Sequence, residues 1–179
     1  MRFFSIGHSA RTLEDLVATL AAAGVTQIAD VRAFPASRRH PHFGRAELER
    51  SLPAAGVGYA WLPQLGGHRK NHAGATRHPG LTEDAFRAYA DHTDSPELAA
   101  GLASLFRLAA ERPTAFMCAE RDPAGCHRSI LADKLWSLGH PVVHLIGPGE
   151  AREHVPPPVL RLDEAGSLRY DRGTQTLLF

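Results

Sequence analysis

Cysteine is scarce in this chain: 179 residues contain two, Cys118 and Cys126. With so few, and with no export signal, the expectation is a cytoplasmic protein whose thiols stay reduced. Long apolar runs are missing too. None approaches the roughly 20 residues that a membrane helix needs, and "MRFFSIGHSARTLEDL" has too short an apolar stretch for a signal peptide. No membrane partner is expected. The common chemical signatures are also absent: there is no C-x-x-C, no C-x-x-C-H, no H-E-x-x-H, no G-x-G-x-x-G and no P-loop. Cysteine-dependent phosphatases place an arginine six residues after the nucleophile, and here those positions are Ala124 and Ala132. Repeats and low-complexity tracts are lacking as well. What remains is a sequence of 44% hydrophobic residues with a mean hydropathy of -0.21. Those values fit one α/β domain spanning 1–179, with a tail over 155–179 appended as a hairpin.

Acidic residues are rare in one segment. Between Val31 and Gly80 only Glu47 and Glu49 oppose Arg32, Arg38, Arg39, Arg45, Arg50, Arg69, Lys70 and Arg77. Five histidines, His40, His42, His68, His72 and His78, lie in the same stretch. That segment carries +6 within a chain whose formal total is +1. It is either a solvated basic face or a surface for an anionic partner.

Periodicity supplies the elements. Strands are expected over 2–6, 25–31, 57–62, 114–118 and 141–147. Leu13, Leu16, Val17 and Leu20 recur at helical spacing behind Thr12, a candidate N-cap, and Gly24 follows the helix end. Further helices are expected over 45–55, from a cap at Thr82, from "SPE" at Ser95 with proline in its first turn, and over 128–138. "VLRLDEAGSLRYD" reads as a hairpin turning near Ala165 and Gly166. Strands alternating with helices imply a central, mostly parallel sheet of about five strands flanked by helices.

Each polar motif follows one of these strands: "GHS" at 7–9, Asp30 with Arg32, "LGGHRK" at 65–70, "CAERDPAGCHR" at 118–128 and "GPGE" at 147–150. In a parallel sheet all strand C-termini share one rim, and ligands bind outside it. Five scattered pieces of chain are therefore expected to face one crevice. Cys126, His127 and Arg128 open a helix, where free N–H groups and the dipole favour an anion and a thiolate. This makes Cys126 the candidate nucleophile, against a structural thiol, and Cys118 a buried small hydrophobe. His8, Glu120 and His127 are the candidate proton carriers. Each has a bland alternative: a hydrogen-bonding histidine, or an ion pair of Glu120 with Arg121 or Arg128. Ser9, Asp30, Arg32, Ser37, Arg38, Gly66, Gly67, Arg69 and Arg128 are the candidate substrate-binding positions. Asp30 and Arg32 share a strand face and make either an ion pair or an anion clamp. "SRRHPHF" sets Arg38, Arg39, His40 and His42 near Phe34 and Phe43, a composition that grips phosphates and stacks on bases. His40 and His42 alone are too little to assign a metal. No cofactor is indicated.

"IGHS", "DVRAFPASRR", the "LGG" after "GYAWLPQ", "FMCAERDPAGCHRSILAD" and "VVHLIG" together resemble the domain-of-unknown-function family 488, from Phe3 to Ile146. The resemblance marks Gly7, His8, Ser9, Asp30, Arg32, Pro35, Ser37, Arg38, Gly66, Gly67, Cys118, Glu120, Cys126, His127 and Arg128 as shared positions. It names no activity. The expectation from the residues is a hydrolase or transferase acting on a small phosphorylated or otherwise anionic substrate, a nucleotide included. The alternatives are a nucleic-acid-binding module and a metal- or redox-sensing protein built on Cys118, Cys126 and nearby histidines.

Overall fold

A computed structural model describes residues 1–69 and 77–171. Lys70 and His72 of the basic stretch lie outside them. In chain order the elements are β1 (Phe3–Gly7), α1 (Leu13–Ala22), β2 (Gln27–Asp30), α2 (Arg45–Ala54), β3 (Gly58–Trp61), α3 (Asp84–His92), α4 (Pro96–Glu111), β4 (Thr114–Cys118), α5 (Arg128–Ser137), β5 (Val142–Gly147), β6 (Glu150–Glu153), β7 (Leu160–Leu162) and β8 (Leu168–Tyr170). Six strands form one sheet in the order β3-β2-β4-β1-β5-β6, and β7 pairs with β8 in the expected C-terminal hairpin. The first five strands are mutually parallel and β6 is antiparallel to β5.

Alternation along the strands gives the sheet two apolar faces. On one, Ile6, Ile28, Ala115 and Met117 pack against Leu16 and Leu20 of α1 and Leu48 and Leu52 of α2. On the other, Phe3, Ala29 and Phe116 meet Leu98, Leu102 and Leu105 of α4 and Ile130, Leu131 and Leu135 of α5. Both faces are covered, as a parallel sheet requires. Thr12 caps α1 by accepting from Asp15 N–H, and Ser95 caps α4 by accepting from Leu98 N–H.

Two local expectations are corrected. Thr82 does not cap α3: the capping position is Glu83, whose side chain makes no capping bond. "GPGE" lies at the rim, as expected, but as the turn that folds β5 back into β6 and not as part of the cleft wall, with Gly149 at φ 73° where an L side chain is strained.

The strand order sets the site. The chain leaves β1 through α1 on one face of the sheet and leaves β4 through α5 on the other. Because β1 and β4 are neighbours, their exit loops part and open a crevice at their C-terminal ends.

Candidate functional site

Three strand ends are stitched together at that crevice. His8 N–H donates to Cys118 O at 3.0 Å, Ser9 N–H to Ala119 O at 2.7 Å, and Val31 N–H to Met117 O at 2.9 Å. Gly7 is in register with Cys118, and a Cβ on it would drive into the Glu120 backbone carbonyl. Gly7→Ala is therefore expected to cost about 1–3 kcal/mol of stability through overpacking, read from the midpoint of a urea transition with unchanged slope.

Above this seam lies a cleft of about 310 Å³ whose walls include His8, Arg32, Ser37, Gly67, Cys118 and His127. Asp30 sits beneath Arg32, fully buried. Its carboxylate accepts from Arg32 Nε at 2.9 Å and Nη2 at 2.5 Å, and from Tyr59 O–H at 2.7 Å. The third guanidinium nitrogen, Nη1, reaches His8 Nε2 at 3.2 Å, while His8 Nδ1 lies 3.0 Å from Ser9 O. A carbonyl can only accept and a guanidinium can only donate, so His8 carries its proton on Nδ1. Burial, then the Arg32 charge, lower the His8 pKa from 6.5 to about 4. Its ring stacks on buried Phe43 with centroids 4.4 Å apart. In this arrangement His8 is a neutral group that holds Arg32.

Two cysteines and a histidine cluster at the other wall. His127 Nε2 is 3.1 Å from Val31 O, so it donates there and leaves the Nδ1 lone pair facing two sulfurs. Cys126 Sγ is 3.5 Å and Cys118 Sγ 3.9 Å from that nitrogen. All three atoms lie within 4.8 Å of one another. Gly67 leaves room for the imidazole, since a Cβ there would overlap the ring. Both cysteines are free thiols. A hydrogen bond from the Cys118 thiol lowers the Cys126 pKa against the opposing effect of burial, and the Arg128 charge adds to the lowering. The same thiol-to-thiolate hydrogen bond, with burial, raises the Cys118 pKa. The pair holds one negative charge easily and a second only with a cation beside it.

The structure gathers His8, Arg32, Ser37, Gly67, Cys118 and His127 around the cleft and leaves the other candidates elsewhere. Cys118, expected as a buried hydrophobe, lines the cleft, whereas Cys126 is 4% exposed behind it. Glu120 points its side chain to solvent, and its backbone carbonyl accepts from Arg128 Nη2. Arg128 is 1% exposed: it ties down the loop carbonyls of Glu120 and Arg121 and lies 3.4 Å from Ser5 Oγ. It is a brace for the β4–α5 connection and not a clamp facing the cleft. Arg69 is engaged by Glu97 and by the carbonyls of Pro63, Gln64 and Gly66. Gly66 packs on Ala33, Ser9 makes the left-handed turn after β1 at φ 47°, and Arg38 is exposed. The basic segment is also largely compensated in space. Arg45 pairs with Glu49, Arg50 with Glu47, and Arg77 with Asp91 and Asp94.

One constellation escaped the sequence reading. Ser5 Oγ, His144, His154 and Asp133 form a continuous chain at 2.6, 3.0 and 2.8 Å, and Tyr170 O–H donates to the second Asp133 oxygen at 2.5 Å. The available signal was a histidine inside the strand "VVHLIG" and an aspartate inside an otherwise apolar helix face.

Compared with known proteins, the chain matches the family model described as "Domain of unknown function DUF488" over residues 12–135. No curated protein and no solved structure matches it. Among the described residues no helix is long and apolar enough to cross a membrane.

Proposed function

From the premise that this chain belongs to the DUF488 family, and from the contents of its cleft, we propose that it is a hydrolase or transferase for a small substrate carrying an anionic group. One observation carries the reading. A cleft at the strand C-termini joins a two-sulfur, one-imidazole cluster on one wall to an arginine held by His8 and Asp30 on the other. None of the described residues lining it is acidic, so an anion meets no opposing carboxylate at its surface. Arg32 presents Nη1, whose charge is partly offset by Asp30 below. Substrate bound against it faces Cys118 and the His127 Nδ1 lone pair, a sulfur and a proton acceptor within reach of the same atom. Bare phosphate binding has no use for that second wall.

A nucleic-acid module is the weaker reading. Arg45, Arg50, Arg69 and Arg77 each already bond a carboxylate. Such pairs would have to be given up to neutralise phosphates.

The test is turnover of a panel of small phosphate and carboxylate esters by the full chain. Cys118→Ala is expected to lower kcat/KM by about 10²- to 10⁴-fold, the range for losing a reacting or proton-moving group, with its unfolding transition intact. Absence of turnover across the panel, or full turnover in a folded Cys118→Ala, counts against the reading.

A further inference from the structure

We propose that Cys118, Cys126 and His127 bind one divalent zinc ion, with its fourth coordination position open to the cleft. Zinc bonds of about 2.3 Å to sulfur and 2.0–2.1 Å to nitrogen, set at the tetrahedral angle, require sulfur–nitrogen separations of about 3.6 Å. The two separations here are 3.5 and 3.9 Å. All three donor atoms fall within 4.8 Å of one another.

The surroundings fit as well. A zinc-ligating histidine characteristically gives its other ring N–H to a carbonyl or carboxylate, which fixes the tautomer and the ring plane. His127 does this through Nε2 to Val31 O at 3.1 Å, and so presents the Nδ1 lone pair to the two sulfurs. Two thiolates and a neutral imidazole cancel the charge of Zn²⁺. That neutrality matters where Cys126 is 4% and His127 8% exposed. Cys118 and His127 line the cleft while Cys126 lies behind them, so three protein ligands close the rear of the ion and leave the side facing substrate. Two sulfurs, one imidazole and one exchangeable position make a catalytic donor set, whereas a structural site is closed by four protein ligands. The ion would supply a Lewis acid at that position. Binding displaces the protons still held by the two thiols to solvent, so affinity rises with pH.

The inference deepens the enzyme reading and rests on the cluster being the reacting centre, but its test reads binding alone. Full-length protein stripped with a chelator is titrated with Co²⁺. The expected result is one ion per chain, with the intense visible bands of tetrahedral Co²⁺ and a thiolate charge-transfer band, both abolished by stoichiometric Zn²⁺. Cys126→Ser and His127→Gln are each expected to remove the charge-transfer band or to weaken binding at least about tenfold. Should a variant fail to fold, the wild-type chain still decides. One equivalent of Zn²⁺ is expected to protect both thiols from alkylation. Co²⁺ spectra without thiolate bands, or thiols alkylated equally fast with and without Zn²⁺, overturn the site. Failure to bind Co²⁺ or Zn²⁺, in a protein whose ester turnover depends on Cys118, overturns the site and leaves the enzyme reading standing. Stoichiometric zinc on a protein that turns over no ester does the reverse.

Discussion

Asp30→Ala is expected to destabilise the protein by about 3–5 kcal/mol, the range for removing one partner of a buried ion pair. Asp30 has no exposed surface and the Arg32 side chain is 6% exposed. Asp30 accepts from Arg32 Nε and Nη2 and from Tyr59 O–H, and His8 Nε2 faces the remaining guanidinium nitrogen. With the carboxylate gone, a full positive charge remains on a largely buried guanidinium, and the Tyr59 hydroxyl loses its acceptor. The double variant Asp30→Ala/Arg32→Met tests the cause. It removes the stranded charge and is expected to recover a large part of the loss, because replacing a buried pair by apolar groups is often near neutral. Urea transitions of the wild type, the single and the double variant give the three values. A single variant within about 1 kcal/mol of wild type would show that Arg32 finds another partner or reaches solvent.

The architecture was legible where burial writes a pattern. β1, β4 and β5 are short, mostly apolar runs, β2 ("QIAD") is wholly buried inside the apolar-flanked stretch 25–31, and helices between them leave a parallel sheet as the natural solution. β6 was illegible for the complementary reason. All four residues of "EARE" are exposed, so no alternation marks them as strand. Their conformation comes from pairing with β5 beyond the turn at Gly149. Thr82 shows the limit of capping signals: several polar residues precede α3, and which one caps depends on where the chain arrives.

At the candidate site, convergence could be read and side-chain destination could not. Parallel strands put His8, Arg32 and Cys118 at one rim whatever their side chains do. Whether an arginine faces a ligand or the protein depends on which carbonyls and carboxylates lie within reach. Arg128 and Arg69 found loop carbonyls. Their partners are dispersed in sequence, so charge counted along the chain overstated the charge facing the cleft. Which cysteine reaches the cleft follows from strand alternation and not from helix position. In "TAFMC", Ala115 and Met117 pack on one face, while Phe116 and Cys118 belong to the other, which points Cys118 toward the α5 connection.

Acid is expected to weaken the fold well before its carboxylates titrate, through His144. Burial first, then the neighbouring His154 and the Arg128 and Arg152 charges, lower the His144 pKa from 6.5 to about 4, with Asp122 opposing. The hydrogen bonds explain why the neutral form is required. Asp133 accepts from Tyr170 O–H and from His154 Nε2, so His154 Nδ1 accepts from His144 Nε2, and His144 Nδ1 accepts from Ser5 O–H. A second proton on His144 forces the Ser5 hydroxyl to turn round and accept, and sets a buried charge beside the Arg128 guanidinium. Above pH 6.5 neither folded nor unfolded chain protonates this ring, so it contributes no slope. Between 6.5 and about 4 the unfolded chain binds a proton that the folded one refuses. Stability therefore falls as pH falls, by about 1.4 kcal/mol per unit. By the lower end the loss from this ring reaches about 3 kcal/mol. His8, lowered over the same window, adds to it. Unfolding free energies measured by urea across that window give the slope. His144→Asn is expected to be less stable near neutrality, having lost its two bonds, but to show a shallower acid dependence than wild type. A variant with the wild-type slope would assign the acid sensitivity to other groups.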